Sequence, residues 1–292
     1  MAEHHHHPER RNAPALRWAA ALTLGFAAVE AAGGWWTGSL ALISDAGHML
    51  TDGAALGLAA LAAWAARRPP SARHSYGLGR AEVFAALVNA VAMLAIAGAI
   101  GYEALGRWQS PAPVKGGAAA LIAAAGLVIN LAILRRLTAH RHDLNARAAM
   151  LHVVGDAMGS AAALAAGLVI AATGWLPIDA IASLAICLLI AASALRLTRE
   201  SVHALMEGVP HGVSVDAVGL EMARVEGVVS VHDLHVWTLS GSRSALSAHV
   251  VVASMRDWER TLGALQRCLH EKFGIDHVTL QPESDTRPLV RH

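Results

Sequence analysis

Two copies of a His-x-x-x-Asp motif lie deep in apolar segments of the sequence. His48 is followed four residues later by Asp52, and His152 is followed in the same way by Asp156. Because an α-helix turns once in about 3.6 residues, each motif places its imidazole and carboxylate on one face, one turn apart. If the two faces meet, two nitrogen and two oxygen ligands converge, the number and kind of ligand that tetrahedral zinc takes. A helix-packing hydrogen bond is the alternative for either pair alone, but ionisable groups inside a bilayer are functional by default.

The segments around these motifs have the composition of a membrane protein. Of the 292 residues, 55% are hydrophobic and only 15% are charged, whereas an ordinary soluble domain has about 25% charged residues. A helix needs about 20 mostly apolar residues to cross a bilayer, and six such stretches occur between turn signals. The sequence predicts spans at 17–37, 39–66, 81–107, 114–137, 146–173 and 177–198.

The arginine positions predict the orientation of these spans. Arginines cluster before the first span and around the connections after the second, fourth and sixth: Arg10, Arg11, Arg17, Arg67, Arg68, Arg73, Arg80, Arg135, Arg136, Arg141, Arg147, Arg196 and Arg199. The other connections hold only Arg107 and Lys115. By the positive-inside rule, both termini lie in the cytoplasm of a multi-pass protein of the cell inner membrane. A cleaved signal peptide over 10–33 is the alternative, but Glu30 interrupts its apolar run and five spans follow.

The sequence changes character after a Gly-Val-Pro-His-Gly hinge at 208–212. Half of the acidic residues lie beyond residue 200. Periodicity there predicts a helix over 214–226, two strands over 228–239 and 244–253, a helix over 257–273 and a strand over 277–282. The order α-β-β-α-β predicts a small sheet with helices on one face. We therefore divide the chain into a His-rich cytosolic tail (1–14), a six-helix transmembrane domain (15–200), a cytosolic α/β domain (209–285) and a short tail (286–292).

Several other functions are disfavoured by the same sequence. A formal net charge of +1 offers no basic surface for nucleic acid, and two cysteines are too few for a disulfide framework. The sequence holds no recognisable nucleophile, base and oxyanion set and no His-Glu-x-x-His motif, so we expect neither an enzyme nor a cofactor. Four histidines at 4–7 are either a cloning remnant or a natural tail that binds divalent metals weakly.

Five segments resemble the cation diffusion facilitator family, in particular its bacterial zinc-exporting branch. They read GSLALISDAGHMLTD (38–52), YGLGRAE (76–82), RAAMLHVVGD (147–156), VHDLHVW (231–237) and HVTLQ (277–281). The resemblance implies an α-helical membrane protein whose six-transmembrane-helix bundle precedes a ferredoxin-like cytosolic domain. It also implies a homodimer that exports zinc, and also cadmium, by antiport with protons. The family's transport site maps onto His48, Asp52, His152 and Asp156.

The resemblance implies two further metal sites that match less completely. In the cytosolic domain His232, His249 and Glu283 match ligand positions, but Gln281 and Leu262 stand where other members have histidine. In the connection between the second and third spans only His74 is a good ligand, and a surface residue is the alternative. Strand alternation would place His232 and His235 on opposite faces, so His235 is a weak candidate that a simple strand hydrogen bond explains equally well.

A carrier mechanism follows from competition between zinc and protons. A coordinating imidazole must be neutral, and the free ring titrates near pH 6.5, close to the pH of the cytosol. The expected partners are divalent metal ions, protons, membrane lipid and a second copy of the chain, with transported and bound zinc as the metal. A membrane-anchored metal sensor without flux is the alternative function.

Overall fold

A computed structural model describes residues 13–138, 144–240 and 243–284. The chain divides into two compact units, one of residues 1–58 and 88–196 and the other of residues 59–87 and 197–292. The predicted His-rich tail lies outside the described residues up to residue 12, as do residues 139–143, with His140 and His142, and the tail at 286–292. The six long helices of the chain are α1 (Ala13–Thr37), α2 (Leu40–Ala66), α3 (Arg80–Gln109), α4 (Gly116–Thr138), α5 (Leu144–Thr173) and α6 (Pro177–Leu205).

Five of these helices are long and apolar enough to cross a membrane, judged over the described residues. They are α2 to α6, with apolar stretches of 21 to 30 residues. The predicted first span coincides with α1, a helix of 25 residues whose side chains are described from Ala21 onward. The helical membrane domain is thus confirmed with five candidate spans, and the sixth stays a prediction.

The first unit packs through small residues. An added Cβ on Gly167 of α5 would lie 2.6 Å from the backbone nitrogen of Ala120 in α4, and one on Gly116 would lie 2.8 Å from the nitrogen of Ala171. Helices in lipid gain no hydrophobic energy by associating, so close backbone approach at Gly and Ala supplies the van der Waals contact instead. The abundance of these two residues therefore holds α4 directly against α5.

Asp179, near the start of α6, caps the start of α2. Its carboxylate is buried and accepts hydrogen bonds from the Ser39 hydroxyl and the Leu40 backbone N–H, both at 2.6 Å. A third donor, the N–H of Ala41, lies 3.4 Å away. The first N–H groups of a helix have no partner within the helix and carry partial positive charge. The carboxylate satisfies them and joins α6 to α2.

Replacing Asp179 by alanine should therefore destabilise the protein. It removes charge-assisted hydrogen bonds and leaves buried donors unpaired, so we expect a loss of about 2–3 kcal/mol, measured as a lower melting temperature in detergent. The matched control is Asp216→Ala, because Asp216 also occupies a first helical turn but is exposed. Equal melting temperatures for Asp179→Ala and the parent protein would contradict the capping role.

The remaining elements form a small α/β domain. In chain order they are α7 (Val215–Ala223), β1 (Val228–Ser240), β2 (Arg243–Val252), a 3-10 turn (Met255–Asp257), α8 (Trp258–Phe273) and β3 (His277–Ser284). The three-stranded sheet has the order β1-β2-β3, in which β1 pairs with β2 antiparallel and β2 with β3 parallel. Apolar residues of both helices and the strands form its core, among them Val218, Met222, Val250, Leu265 and Leu269. The predicted α/β domain is confirmed.

A β-bulge in β1 overturns one prediction about this sheet. His232 lies opposite His249, whereas His235 lies opposite Ser247. Three steps along β1 thus match two steps along β2, so His232 and His235 are on the same face and not on opposite faces as strict alternation predicts. Asp233 absorbs the extra residue with a φ of 50°, in the left-handed region that Asp tolerates better than most residues.

Candidate metal centres

The two His-x-x-x-Asp motifs meet between α2 and α5. His48 Nδ1 lies 3.5 Å from Asp52 Oδ2, and His48 Nε2 lies 3.8 Å from Asp156 Oδ1 across the helix pair. His152 Nε2 lies 3.4 Å from Asp52 Oδ2 and 3.7 Å from Asp156 Oδ2. A tetrahedral zinc ion with ligands at about 2.0–2.1 Å has them about 3.3–3.4 Å apart. The spacing between these nitrogen and oxygen atoms is therefore close to that of a zinc site.

Unpaired buried atoms also fit a metal ion at this cluster. Both oxygens of Asp156, Oδ2 of Asp52 and Nδ1 of His48 have no hydrogen-bond partner within the described part of the chain. Buried polar atoms are normally paired, because leaving them unpaired costs free energy. A cation bound among the two carboxylates and two imidazoles would satisfy them.

Exposure differs between the members of this cluster. The side chain of Asp156 is 0% exposed, those of His48 and Asp52 are 17% and 16% exposed, and that of His152 is 42% exposed. The cluster is thus closed around Asp156 and open at His152. Access from the open end brings an ion first to an imidazole and then to the buried carboxylate.

A hydrogen-bonded layer lies one helical turn from the cluster. Ser160, four residues after Asp156, donates a hydrogen bond to Asp45 Oδ2 at 2.8 Å, and Asn130 Nδ2 donates to the Ser160 hydroxyl at 3.2 Å. An added Cβ on Gly159 would lie 2.2 Å from Asp45 Oδ1, so glycine at 159 lets α2 approach α5. Asp45, a candidate to orient His48 by its place in the sequence, is instead held by Ser160.

A second cluster lies on the sheet of the α/β domain. His232 and His249 are opposite each other on β1 and β2, and Glu283 follows on β3, two residues after the partner of His249. His249 Nδ1 lies 2.7 Å from Glu283 Oε1, and His232 Nε2 lies 3.3 Å from Glu283 Oε2. Ligand atoms of the three residues all lie within 4.8 Å of one another. The three predicted cytosolic ligands are therefore brought together.

Asp233 is a neighbour of this cluster that the sequence did not single out. Its Oδ1 lies 3.0 Å from His235 Nε2, and its Oδ2 lies 3.7 Å from His249 Nε2. The bulge turns both Asp233 and His235 toward the face that His249 occupies, and no sequence signal marks a bulge at this point. His235 therefore lies beside the cluster through Asp233.

His74 belongs to neither cluster. It lies in a tight turn closed by two backbone hydrogen bonds with Ser71, each of 3.1 Å, and it is exposed. Within the described residues, no group of three metal-ligating side chains includes it. The geometry favours the surface interpretation of His74 over the metal site that the resemblance implies.

Comparison with known proteins places both parts of the chain in one group. Residues 16–206 match the cation efflux transmembrane domain, and residues 210–285 match the cytoplasmic domain of cation efflux proteins. Zinc transporter ZitB of Escherichia coli (strain K12) is 42% identical over 291 residues, covering 97% of this chain and 93% of the relative. The cadmium, cobalt and zinc/H(+)-K(+) antiporter of Bacillus subtilis (strain 168) is 35% identical over 286 residues, covering 96% and 92%.

One solved structure is similar in sequence to the end of the chain. It is the metal-bound C-terminal domain of the CzcD transporter from Cupriavidus metallidurans, 36% identical. The match covers 24% of this chain and 99% of that domain, with a TM-score of 0.23.

Proposed function

Because this chain belongs to the cation efflux family, also called cation diffusion facilitators, we propose that it is a membrane carrier that exports zinc from the cytosol in exchange for protons. The observation that supports this best is the convergence of His48, Asp52, His152 and Asp156, with His–Asp distances of 3.4 to 3.8 Å. Relatives named for zinc, and for cadmium, cobalt and zinc, support divalent cations as the substrates.

The charges of the cluster explain why zinc and protons would compete for it. Two carboxylates neutralise a divalent ion, and each imidazole must lose its proton before its nitrogen coordinates the metal. Zinc that enters from the cytosol therefore releases protons, and protons that enter from outside expel the zinc. Cadmium binds imidazole and carboxylate in the same way, so we expect it as a second substrate.

The same ligand set argues for a carrier and against an enzyme. A catalytic zinc site keeps an open coordination position for water or substrate. Here four side chains can saturate a tetrahedral ion, which leaves no position for a reacting group. Because the ligands are divided equally between α2 and α5, a relative movement of these helices changes the site as a unit.

We further propose the surroundings of the site from sequence and family together. The carrier lies in the cell inner membrane with both termini in the cytoplasm, and α1 supplies the sixth span. The α/β domain has the ferredoxin-like fold and associates with that of a second copy, as the cytoplasmic-domain match supports. Membrane lipid surrounds the helices of the spanning part.

Zinc flux across sealed vesicles tests the function directly. Purified protein is reconstituted into liposomes that contain a zinc-sensitive dye, and zinc is added outside. A carrier moves zinc into the vesicles, with a rate that saturates as zinc increases. The alternative, a metal sensor, binds zinc in the α/β domain without filling the vesicles, so zinc binding without flux would overturn the proposal.

The cytosolic cluster of His232, His249 and Glu283 is proposed as a weaker metal site that stabilises the dimer. Metal that binds only the associated form favours association by mass action. The cluster offers two imidazoles and one carboxylate, and Gln281 and Leu262 add no strong ligand. We therefore assign it a regulatory role whose effect is modest.

Alanine at both His232 and His249 should slow transport at low zinc but not at saturating zinc. Loss of two ligands should weaken zinc binding at the cytosolic site by more than about tenfold, while the membrane cluster keeps all its ligands. The measurement is initial zinc uptake by full-length protein in liposomes over a range of zinc concentrations. His270→Ala is the control, because His270 lies on α8 and pairs with Asp276 outside the cluster. Equal uptake at all concentrations would exclude the regulatory role.

A further inference from the structure

Glu30 is a buried acidic residue for which the metal cluster gives no role. It lies in α1, its side chain is 0% exposed, and neither carboxylate oxygen has a hydrogen-bond partner among the described residues. An interhelical hydrogen bond, the ordinary explanation for a polar group in a membrane helix, is therefore not what the structure contains. A carboxylate in this condition is costly unless it is neutralised, so Glu30 requires a proton or a cation.

Three other helices surround this carboxyl group with oxygen atoms. An added Cβ on Gly126 of α4 would lie 2.6 Å from Glu30 Oε1, so α4 passes directly beside the carboxyl group. Asn130, one turn further along α4, bonds Ser160 of α5, which bonds Asp45 of α2. Oδ1 of Asn130 and Oδ1 of Asp45 are themselves buried and unpaired within the described chain. We call Glu30, Asp45, Asn130 and Ser160 the oxygen cluster.

The oxygen cluster lies next to the metal cluster but has different chemistry. Ser160 is one turn from Asp156 on α5, and Asp45 is about one turn from His48 on α2. It contains no imidazole and no thiol, so it lacks the nitrogen and sulfur ligands that favour zinc. Its unpaired oxygens are four: both of Glu30, one of Asp45 and one of Asn130. A hard metal cation takes about six to eight oxygens, whereas a proton needs one.

We propose that Glu30, supported by Asp45, carries a coupling proton at a site separate from the metal ligands. This inference rests on the proposed zinc/proton exchange. The acidic groups whose charge acts on Glu30 are Asp45 of α2 and Asp156 of α5, and α4 places the uncharged Gly126 and Asn130 beside it. When the metal cluster is empty, these negative charges favour protonation of the Glu30 carboxylate to the neutral acid.

Zinc binding reverses this balance. The positive charge of the ion compensates Asp52 and Asp156, so the Glu30 carboxylic acid releases its proton toward the cytosol as zinc enters. After zinc leaves to the outside, a proton from that side converts the carboxylate back to the acid. One proton is thus exchanged through charge alone, without competing for a ligand atom.

Glu30→Gln tests this proposal, because glutamine has the same shape but cannot release the proton. In full-length protein in liposomes, zinc uptake driven by a pH gradient should fall by about tenfold or more, within the range of couplings between protein sites. Exchange of external isotopic zinc for internal zinc at equal pH should continue, because it requires only the zinc-loaded carrier to reorient. Glu103→Gln is the matched control, since Glu103 is an exposed carboxylate on α3.

Further outcomes separate the proposal from its competitors. Normal gradient-driven uptake by Glu30→Gln overturns it, and so does loss of zinc–zinc exchange in a variant that still binds zinc. Glu30→Asp keeps a carboxyl group, so it should recover part of the gradient-driven uptake, and equal defects in the two variants overturn the proposal. If the parent protein itself ignores the pH gradient, the proposed zinc/proton exchange fails instead.

Discussion

Replacing Asp156 by alanine should abolish zinc transport, with a loss of more than about 100-fold, because even outer partners of metal ligands cost about 10- to 100-fold. Asp156 is the fully buried member of the cluster and lies within 3.8 Å of both histidines. Its two oxygens have no other hydrogen-bond partner in the described chain. No neighbouring group can therefore take its place as a ligand.

Asp52→Ala should have the same effect, since Asp52 Oδ2 is the oxygen nearest to His152 and also lies 3.5 Å from His48. The measurement is zinc uptake into liposomes that contain equal amounts of each variant. Size-exclusion chromatography in detergent checks that both variants keep the oligomeric state of the parent. Glu103→Ala, which removes an exposed carboxylate of α3, should transport zinc normally. Normal flux in either Asp variant would remove the basis of the proposed transport site.

A protonophore should eliminate the accumulation of zinc in acid-loaded vesicles. If zinc is exchanged for protons, each proton contributes about 1.4 kcal/mol per pH unit, or about a tenfold difference in zinc concentration. Zinc uptake should therefore rise with the acidity inside the vesicles and stop at equilibrium when the gradient is dissipated. Dye fluorescence inside the vesicles, followed as the internal pH is varied, measures both effects.

Calorimetry gives an independent measure of the same coupling. Zinc binding should release protons, and the heat of binding should vary with the ionisation enthalpy of the buffer. Vesicles that contain Asp156→Ala serve as the control for leakage of zinc and protons. A flux that ignores both the gradient and the protonophore would instead describe a channel or a uniporter.

The metal cluster could be predicted because helical geometry is local. A spacing of four residues fixes the relative positions of His48 and Asp52, and of His152 and Asp156, wherever the helices lie in space. That the two faces meet could only be inferred from the cost of burying such groups in a bilayer. The distances across α2 and α5 depend on glycine at 159, a detail of packing that periodicity does not contain.

The sheet of the α/β domain shows where such reasoning ends. Alternation along β1 fails at Asp233, because a bulge changes the side on which every later residue lies, and its position depends on pairing with β2. The prediction for His235 was wrong for this reason, and Asp233 was missed. Glu30 was assigned an ordinary hydrogen bond for a related reason, because its surroundings come from α2, α4 and α5 and not from its neighbours in the chain.

The bond from Asp179 to the start of α2 makes that end of the helix a pivot. His48 and Asp52 lie eight and twelve residues beyond Leu40, or about 12 and 18 Å along the helix axis. A tilt of about 10° around the pivot would therefore move these two ligands sideways by about 2 and 3 Å, distances comparable to a zinc–ligand bond of about 2 Å. A small lever motion of α2 is thus enough to take apart a site that is assembled across two helices.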